Sequence, residues 1–375
     1  MTESTKIAFI ITGLNTGGAE MMLFKLLERL SPEFTPQVIS LTDIGAIGQR
    51  IQSLGIPVFH LGMNPKVPNP LAIIHLIGIL KRIKPEIIHT WMYHANFLGG
   101  LAARMAGLSK VIWGIRCSQL DITSKLTTRL LVKVCARLSG IVPEQIHSCS
   151  LVARDIHISS GYDRTKFLVI PNGFDTTKFR PNPLAKDSVR QELGISCDTP
   201  LVGMLARFHP LKNHIGFVEA AGYLHEKRPD VHFLLAGADI DDHNLILSKA
   251  IKKAKINDVT HLLGLRQDVY RIMSSLDVLA SSSYAEAFPN VIGEAMSCGV
   301  PCAVTDVGDS AYIVGDTGKV VSSGDMIGLA DAMDSLLSLS TFDRAKLGEK
   351  ARYRIEENFE MSHIVNLYES AYRKL

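Results

Sequence analysis

Residues 7–41 read IAFIITGLNTGGAEMMLFKLLERLSPEFTPQVISL. The stretch opens on an apolar run from Ile7 to Thr12, passes through a glycine-containing turn into residues of helical period from Ala19 to Leu30, and closes on a second run from Gln37 to Leu41. A short β-rich run, an amphipathic helix and another short run are the signature of a βαβ unit, whose strands lie parallel. Working outward, further strand candidates fall at Val58–Leu61, Ile87–His89, Val111–Ile115, Gly140–Val142 and Phe167–Ile170, with helical stretches between them. The first half of the chain therefore reads as one doubly wound α/β domain.

Between Pro171 and Pro200 the rhythm breaks, with Pro181 and Pro183 in the interval and Asn172-Gly173 as a turn signal, as expected of an interdomain segment. A second series then begins, with strand candidates at Leu201–Leu205, His232–Ala236, Thr260–Leu263, Val278–Ser281, Pro301–Thr305 and Lys319–Val321. The expected organisation is an N-terminal Rossmann-like domain over residues 1–175, a C-terminal one over 176–355, and a final helix over 356–375 that packs back toward the first. Ligands of such sheets bind outside the carboxyl ends of the strands, so the expected site is a central cleft faced by both domains.

Composition narrows the function classes. Of 375 residues, 46 % are apolar and 21 % charged, which argues against long disordered stretches. Forty Lys plus Arg against 37 Asp plus Glu leave a net charge of only +3, far from the basic excess of a dedicated nucleic-acid binder. Cys117, Cys135, Cys149, Cys197, Cys298 and Cys302 follow no metal-ligand or disulfide spacing and are expected to be reduced thiols of a cytoplasmic protein. The start lacks the pattern of a secretory leader, and the longest apolar stretch, Leu71 to Leu80, is far short of the roughly 20 residues of a spanning helix.

Three segments can carry chemistry. In Tyr284-Ala-Glu-Ala-Phe-Pro-Asn-Val-Ile-Gly-Glu-Ala-Met-Ser-Cys-Gly-Val-Pro301 a strand is followed by a loop and then by a helix starting near Pro289 or Asn290 and ending at Gly299. A helix N-terminus suits a phosphate, and Glu286 and Glu294 on either side of it can accept hydrogen bonds from hydroxyls; as purely structural residues they would be a helix-start acid and a solvated helix acid. Gly13-Leu-Asn-Thr-Gly-Gly-Ala-Glu20 follows the first strand and opens the first helix, letting backbone N–H groups approach a phosphate or simply making a tight turn. Its spacing is not that of a nicotinamide fingerprint. Arg207 and Lys212 follow the first strand of the second domain, where they can neutralise a diphosphate or remain solvated loop charges.

Taken together and in this order, these segments resemble the GT4 family of retaining glycosyltransferases, which have the GT-B fold. The resemblance covers most of the chain and rests on Glu286 and Glu294 separated by seven residues, on Gly17-Gly18, on Arg207 and Lys212, and on Val169-Ile-Pro-Asn-Gly-Phe-Asp175. It implies that Glu286 contacts hydroxyls of a donor sugar, that Phe288, Pro289 and Asn290 embrace sugar and phosphates, and that Glu294 holds the ribose. It also implies diphosphate binding by Arg207 and Lys212, and contact of Gly17 and Gly18 with the phosphates.

Many members carry a histidine at the end of the strand that here reads Val111-Ile-Trp-Gly-Ile-Arg116; Arg116 is thus a candidate acceptor or sugar contact, and His94 a candidate catalytic group in its stead. Asp239-Ile-Asp241-Asp242 is read as a helix N-cap with first-turn acids, so no metal and no cofactor are expected. Lys125, Arg129, Lys133 and Arg137 recur every four residues and suit anionic lipid head groups, or form an ordinary solvated helix face. The expected function is hexose or N-acetylhexosamine transfer from a nucleotide sugar, UDP-sugar favoured by the resemblance, to a glycan or lipid-linked acceptor in surface polysaccharide synthesis, at the cytoplasmic face of a membrane. An epimerase of GT-B fold and a silent nucleotide-sugar binder are the alternatives.

Overall fold

The computed structural model of the chain describes residues 4–64, 71–118 and 126–375. It divides into two compact units, Met1–Gly173 together with Met361–Leu375, and Phe174–Glu360. The boundaries expected from sequence were at 175/176 and 355/356; the chain divides at 173/174 and 360/361.

In chain order the first unit contains β1 (Thr5–Ile11), α1 (Gly18–Arg29), β2 (Phe34–Ser40), α2 (Gly45–Ser53), β3 (Val58–His60), α3 (Leu71–Ile83), β4 (Ile87–Trp91), α4 (Tyr93–Met105), β5 (Val111–Ile115), α5 (Leu126–Leu138), β6 (Gln145–Ser148), α6 (Leu151–Ser159) and β7 (Phe167–Val169). The second unit contains α7 (Pro183–Glu192), β8 (Leu201–Leu205), α8 (His214–Lys227), β9 (His232–Ala236), α9 (Leu245–Lys253), β10 (Thr260–Leu262), α10 (Val269–Ser275), β11 (Val278–Ser281), α11 (Asn290–Ser297), β12 (Cys302–Thr305), α12 (Ser310–Val314), β13 (Lys319–Val321), α13 (Met326–Leu337) and α14 (Thr341–Phe359). The last helix, α15 (Met361–Arg373), belongs to the first unit.

Among the described residues both sheets are wholly parallel. The first is ordered β3-β2-β1-β4-β5-β6-β7 and the second β10-β9-β8-β11-β12-β13. Each has one point where strand order reverses, between β1 and β4 and between β8 and β11. Loops leaving those strands diverge to opposite faces and leave a crevice at the carboxyl edge, which is where such sheets take ligands.

Alternate side chains of β1 serve the two faces of the first sheet. Ile7, Phe9 and Ile11 pack with α1, α2 and the apolar stripe Met361, Ile364, Val365, Tyr368 and Tyr372 of α15. Ala8 and Ile10 pack with α3, α4 and α5 on the other face. In the second unit Val202, Met204, Phe233 and Leu235 pack against α8, α9 and α13. Burial of each large apolar side chain stabilises by about 1.5–3 kcal/mol.

The expected strand Gly140–Val142 is not one. The backbone N–H groups of Ile141 and Val142 donate to the Leu138 carbonyl, so these residues complete the turn out of α5. The strand is β6, in which buried His147 and Ser148 accompany Ile146 and conceal it from a search for apolar runs. The proline-rich interval likewise contains α7, with Pro183 in the first turn and Asn182 as N-cap accepting from Ala185 N at 3.1 Å.

A buried charge network ties α7 to the second sheet. Arg190 is fully buried, and its Nη2 donates to Asp277 Oδ2 at 2.7 Å and to the Ser275 carbonyl at 3.2 Å, while Nη1 donates to the Thr199 carbonyl. Asp277 also accepts from Leu201 N at 2.9 Å and from Lys186 Nζ at 3.1 Å, joining the start of β8 to the start of β11. Burial raises the Asp277 pKa, but the charges of Lys186 and Arg190 and these hydrogen bonds outweigh it, so the net shift is downward. The carboxylate's contribution is therefore full above the pKa of an unfolded Asp, about 3.9, and is lost as pH falls through the lower folded-state value. Breaking a buried pair from one side leaves an under-compensated charge, so Arg190→Met is expected to cost about 3 kcal/mol or more in urea unfolding at pH 7; a cost below about 1 kcal/mol would show that the pair is not structural.

Candidate functional site

In the second unit the reversal point lies between β8 and β11, and the loops leaving these two strands carry Arg207, Lys212 and Glu286. After β8 the chain runs through Arg207 to a turn of 3-10 helix at Pro210–Lys212. Asn213 then takes left-handed backbone (φ 53°) and caps α8, its side chain accepting from Gly216 N at 3.1 Å. The loop is held from below, where buried Ser282 donates to the carbonyls of Lys212 (3.2 Å) and Asn213 (2.8 Å).

Glu286 is fixed from two sides. Lys212 Nζ lies 2.5 Å from its Oε1, and Ser283 Oγ donates to the same oxygen at 2.8 Å. The backbone around Glu286 is clamped by Gly308, at φ 55°. A Cβ there would fall 2.4 Å from the Glu286 carbonyl oxygen, so only glycine lets the β12 loop come this close. Asp309 N donates to the Ala287 carbonyl at 3.0 Å and completes the clamp.

Pro289 is the N-cap residue of α11, and Asn290 begins the helix. The positive end of α11 thus follows the Glu286 loop directly, and Glu294 lies in its second turn, half-buried. Gly299 (φ 73°) ends the helix in the Schellman pattern, with Gly299 N donating to Met296 O at 2.9 Å and Val300 N to Ala295 O at 3.0 Å. The ring of Phe288 is buried in an aromatic cluster with Phe174, stacked at 6.1 Å, and Phe359 at 5.7 Å, and anchors the loop that carries Pro289 and Asn290.

Arg207 is exposed and makes no ion pair among the described residues. His209 is lowered in pKa by burial first and then by the charges of Arg207 and Lys212. His214 is lowered to about 4 by burial, against a hydrogen bond at 3.2 Å to the Ala206 carbonyl, so it is neutral at pH 7. The local field is therefore made by Arg207, Lys212, Glu286 and a helix terminus. Ser282, Ser283 and Asn213 were missed by sequence reasoning; the Ser-x-x-Glu spacing of Ser283 and Glu286 was the available signal.

In the first unit the reversal point lies between β1 and β4. Gly17 is the N-cap residue of α1, with extended backbone (φ −164°), and Gly18 begins the helix. The Glu20 carboxylate lies over the helix start, close enough that a Cβ on Gly17 would fall 2.3 Å from Oε2. After β4, Met92 takes φ 74°, an unusual value for a side-chain-bearing residue and one that clusters at functional sites. His94, in the first turn of α4, is exposed, makes no side-chain hydrogen bond among the described residues, and has its pKa lowered by partial desolvation. Thr90 and Asn96 lock this loop to β5, through Thr90 Oγ1 to Asn96 Oδ1 at 2.7 Å and Asn96 Nδ2 to the Gly114 carbonyl at 3.1 Å.

Arg116 follows β5 and is held by Asn172 Oδ1 at 3.1 Å and the Tyr368 hydroxyl at 2.7 Å. Asp239, Asp241 and Asp242 do not cap α9 as expected. Asn244 is the cap, accepting from Leu247 N at 3.1 Å, because Asp239 is in left-handed backbone and Asp241 closes its own turn onto His243 N at 2.9 Å. Among the described residues no three His, Cys, Asp or Glu side chains gather as metal ligands.

Comparison with known proteins agrees with this arrangement. The family model for glycosyl transferases group 1 matches residues 185–354, and that for glycosyltransferase family 4 matches residues 16–178. The chain is 29 % identical over 316 residues to a candidate glycosyltransferase, EpsF, of Bacillus subtilis, covering 81 % of this chain and 80 % of that one. It is 30 % identical over 250 residues to the UDP-Gal:alpha-D-GlcNAc-diphosphoundecaprenol alpha-1,3-galactosyltransferase of Escherichia coli, covering 65 % and 63 %. Its fold is similar to that of Anabaena HepE solved in complex with UDP, with TM-score 0.87 at 22 % identity over 99 % of this chain and 100 % of that one. With two parallel-sheet α/β units and matches of both family models, the chain belongs to the GT4 family of glycosyltransferases and has the GT-B fold.

Proposed function

We propose that this glycosyltransferase moves a hexose or N-acetylhexosamine from a UDP-sugar to a glycan or lipid-linked saccharide in surface polysaccharide synthesis, with retention of anomeric configuration. The observation that carries the reading is the Lys212–Glu286 pair beside Arg207 at the reversal point of the second sheet. Support for the donor comes from HepE, solved with UDP, and for the acceptor class from the Escherichia coli relative, whose name specifies UDP-Gal and a diphosphoundecaprenol-linked sugar.

In this reading Arg207 and Lys212 neutralise the donor diphosphate, with the N-terminus of α11 adding N–H groups from Asn290 onward. Glu286 accepts hydrogen bonds from sugar hydroxyls and Glu294 from the ribose, while Pro289 fixes the helix entry. Gly17 and Gly18 offer the start of α1 to the phosphates, for which the Glu20 carboxylate must move aside. The acceptor hydroxyl attacks the anomeric carbon on the face from which the diphosphate leaves; the C–O bond to phosphate breaks as the new one forms, and a phosphate oxygen of the departing UDP takes the hydroxyl proton. No metal ion and no cofactor take part. Catalysis rests on positioning and on charge stabilisation. His94, neutral near pH 7 because desolvation lowers its pKa, is available as a hydrogen-bond partner to the reacting sugar.

The enzyme works at the cytoplasmic face of a membrane, held peripherally. Among the described residues no helix is long and apolar enough to cross one. Arg129, Lys133 and Arg137 are exposed on α5 beside exposed Leu126 and Leu130; Lys125, the first residue of the expected stripe, lies outside the described residues. Each basic residue near an anionic surface adds about 1 kcal/mol.

Thermal unfolding with UDP, GDP, ADP and UDP-glucose tests the donor site. A ligand at about 100 times its Kd adds about 2.7 kcal/mol, a rise of a few degrees. Stabilisation by UDP that survives EDTA is the expected result, with Arg207→Ala slowing UDP release from UDP-glucose about 10²-fold. Stabilisation that disappears in EDTA and returns with Mg²⁺ contradicts the metal-free reading, and a new sugar isomer formed without acceptor identifies an epimerase. For the membrane, converting Arg129, Lys133 and Arg137 to Glu should release the protein from sedimenting phosphatidylglycerol vesicles; equal sedimentation removes that part of the proposal.

A further inference from the structure

The carboxyl edge of the first sheet carries a cation that no carboxylate among the described residues balances. Arg116 directly follows β5, next to β4, whose last residue Trp91 pairs in register with Gly114. Its guanidinium carbon lies over the Trp91 indole, 3.7 Å from the ring centroid. Its hydrogen-bond partners, Asn172 and Tyr368, are neutral, and its buried Nε has no partner among the described residues.

Several other part-buried or buried arginines of this chain are balanced by a carboxylate or spent on carbonyls. Arg190 is paired with Asp277, Arg266 and Arg271 with Glu192 and Asp268, and Arg352 with Glu356. Arg104 and Arg354 are spent on backbone carbonyls. The described histidine and tyrosine side chains packed around Arg116 are neutral. His89 and His147 are held well below the ordinary histidine value by burial first and by neighbouring charge, and the hydroxyls of Tyr368 and Tyr372 are raised by burial. The planar fork is thus pre-oriented by an aromatic face and two dipoles, keeps N–H donors unused, and stands where a doubly wound sheet takes ligands.

We propose that Arg116 is a specificity-determining residue that binds an anionic group of the acceptor saccharide, a phosphate or a carboxylate. The proposal rests on the glycosyltransferase reading above and assigns the acceptor a negative charge. Both oxyanions accept the paired N–H donors of a guanidinium, which a neutral sugar cannot reward equally. A structural role alone would need only the Trp91, Asn172 and Tyr368 contacts.

Trp91 is a built-in reporter, since an anion drawn to Arg116 changes the charge lying on its ring. The full-length protein is titrated with inorganic pyrophosphate, glucuronate and glucose while tryptophan fluorescence is followed. A saturable change with pyrophosphate or glucuronate, and none with glucose, is expected; the better of the two anions tells a phosphate-bearing acceptor from an acidic sugar. The change should vanish in Arg116→Gln, its fold checked by near-UV circular dichroism. Arg116→Lys keeps the charge but loses the fork, and should bind about tenfold more weakly, on the scale of one charged hydrogen bond. In a Lys212→Ala, Arg207→Ala double variant the change should persist, which separates this site from the donor site. A change that persists in folded Arg116→Gln, unaltered affinity in Arg116→Lys, or loss of the change in the double variant overturns the proposal.

Discussion

The Lys212–Glu286 ion pair joins two loops 74 residues apart in the chain and brings together the two kinds of group that the proposed nucleotide-sugar donor needs. An ammonium meets phosphate and a carboxylate meets hydroxyls, so neither alone specifies the ligand. Their contact is possible because β8 and β11 are adjacent strands at the reversal point, while the helices that follow them lie on different faces. Ser283, Ser282 and the close approach of Gly308 then restrict how far either loop can drift. Rigidity of this kind lets fixed charges stabilise a developing charge without reorganising as it forms.

The sheet beneath must be equally well fixed, and apolar burial supplies most of that. Wholly buried strands such as Leu201–Leu205 and Val278–Ser281 hold their loops at one edge by packing on both faces. The Asp277 carboxylate performs the complementary task at the opposite edge, tying the starts of these two strands to α7. As pH falls, His214 protonates near 4, before the Asp277 carboxylate, whose pKa is held below the ordinary Asp value.

Much of the architecture was legible because βαβ repetition writes itself as alternating apolar runs and helical periods. The run from Ile7 to Leu41 gave β1, α1 and β2, and the Glu286–Glu294 segment gave a loop and helix whose end at Gly299 is as expected. What escaped was polar or non-local. Strand β6 was hidden by His147 and Ser148, and Gly140–Val142 was taken in its place because an apolar turn and a short strand look alike in one dimension. The burial of the Phe288 ring against Phe174, a partner more than a hundred residues away, is a non-local contact that no local pattern shows. The cap at Asn244 depends on left-handed backbone at Asp239, which no residue pattern announces.

Arg116 shows the same limit. Its position was visible as a departure from the family's histidine, but its lack of a carboxylate among the described residues emerges only in three dimensions. The proposed donor site in the second unit is tested most directly by a crystal structure of the full-length protein with UDP. Expected are diphosphate oxygens within about 3 Å of Lys212 Nζ and of the Arg207 guanidinium, near the start of α11. UDP bound elsewhere, with Lys212 still closed on Glu286 and Arg207 in solvent, would contradict it.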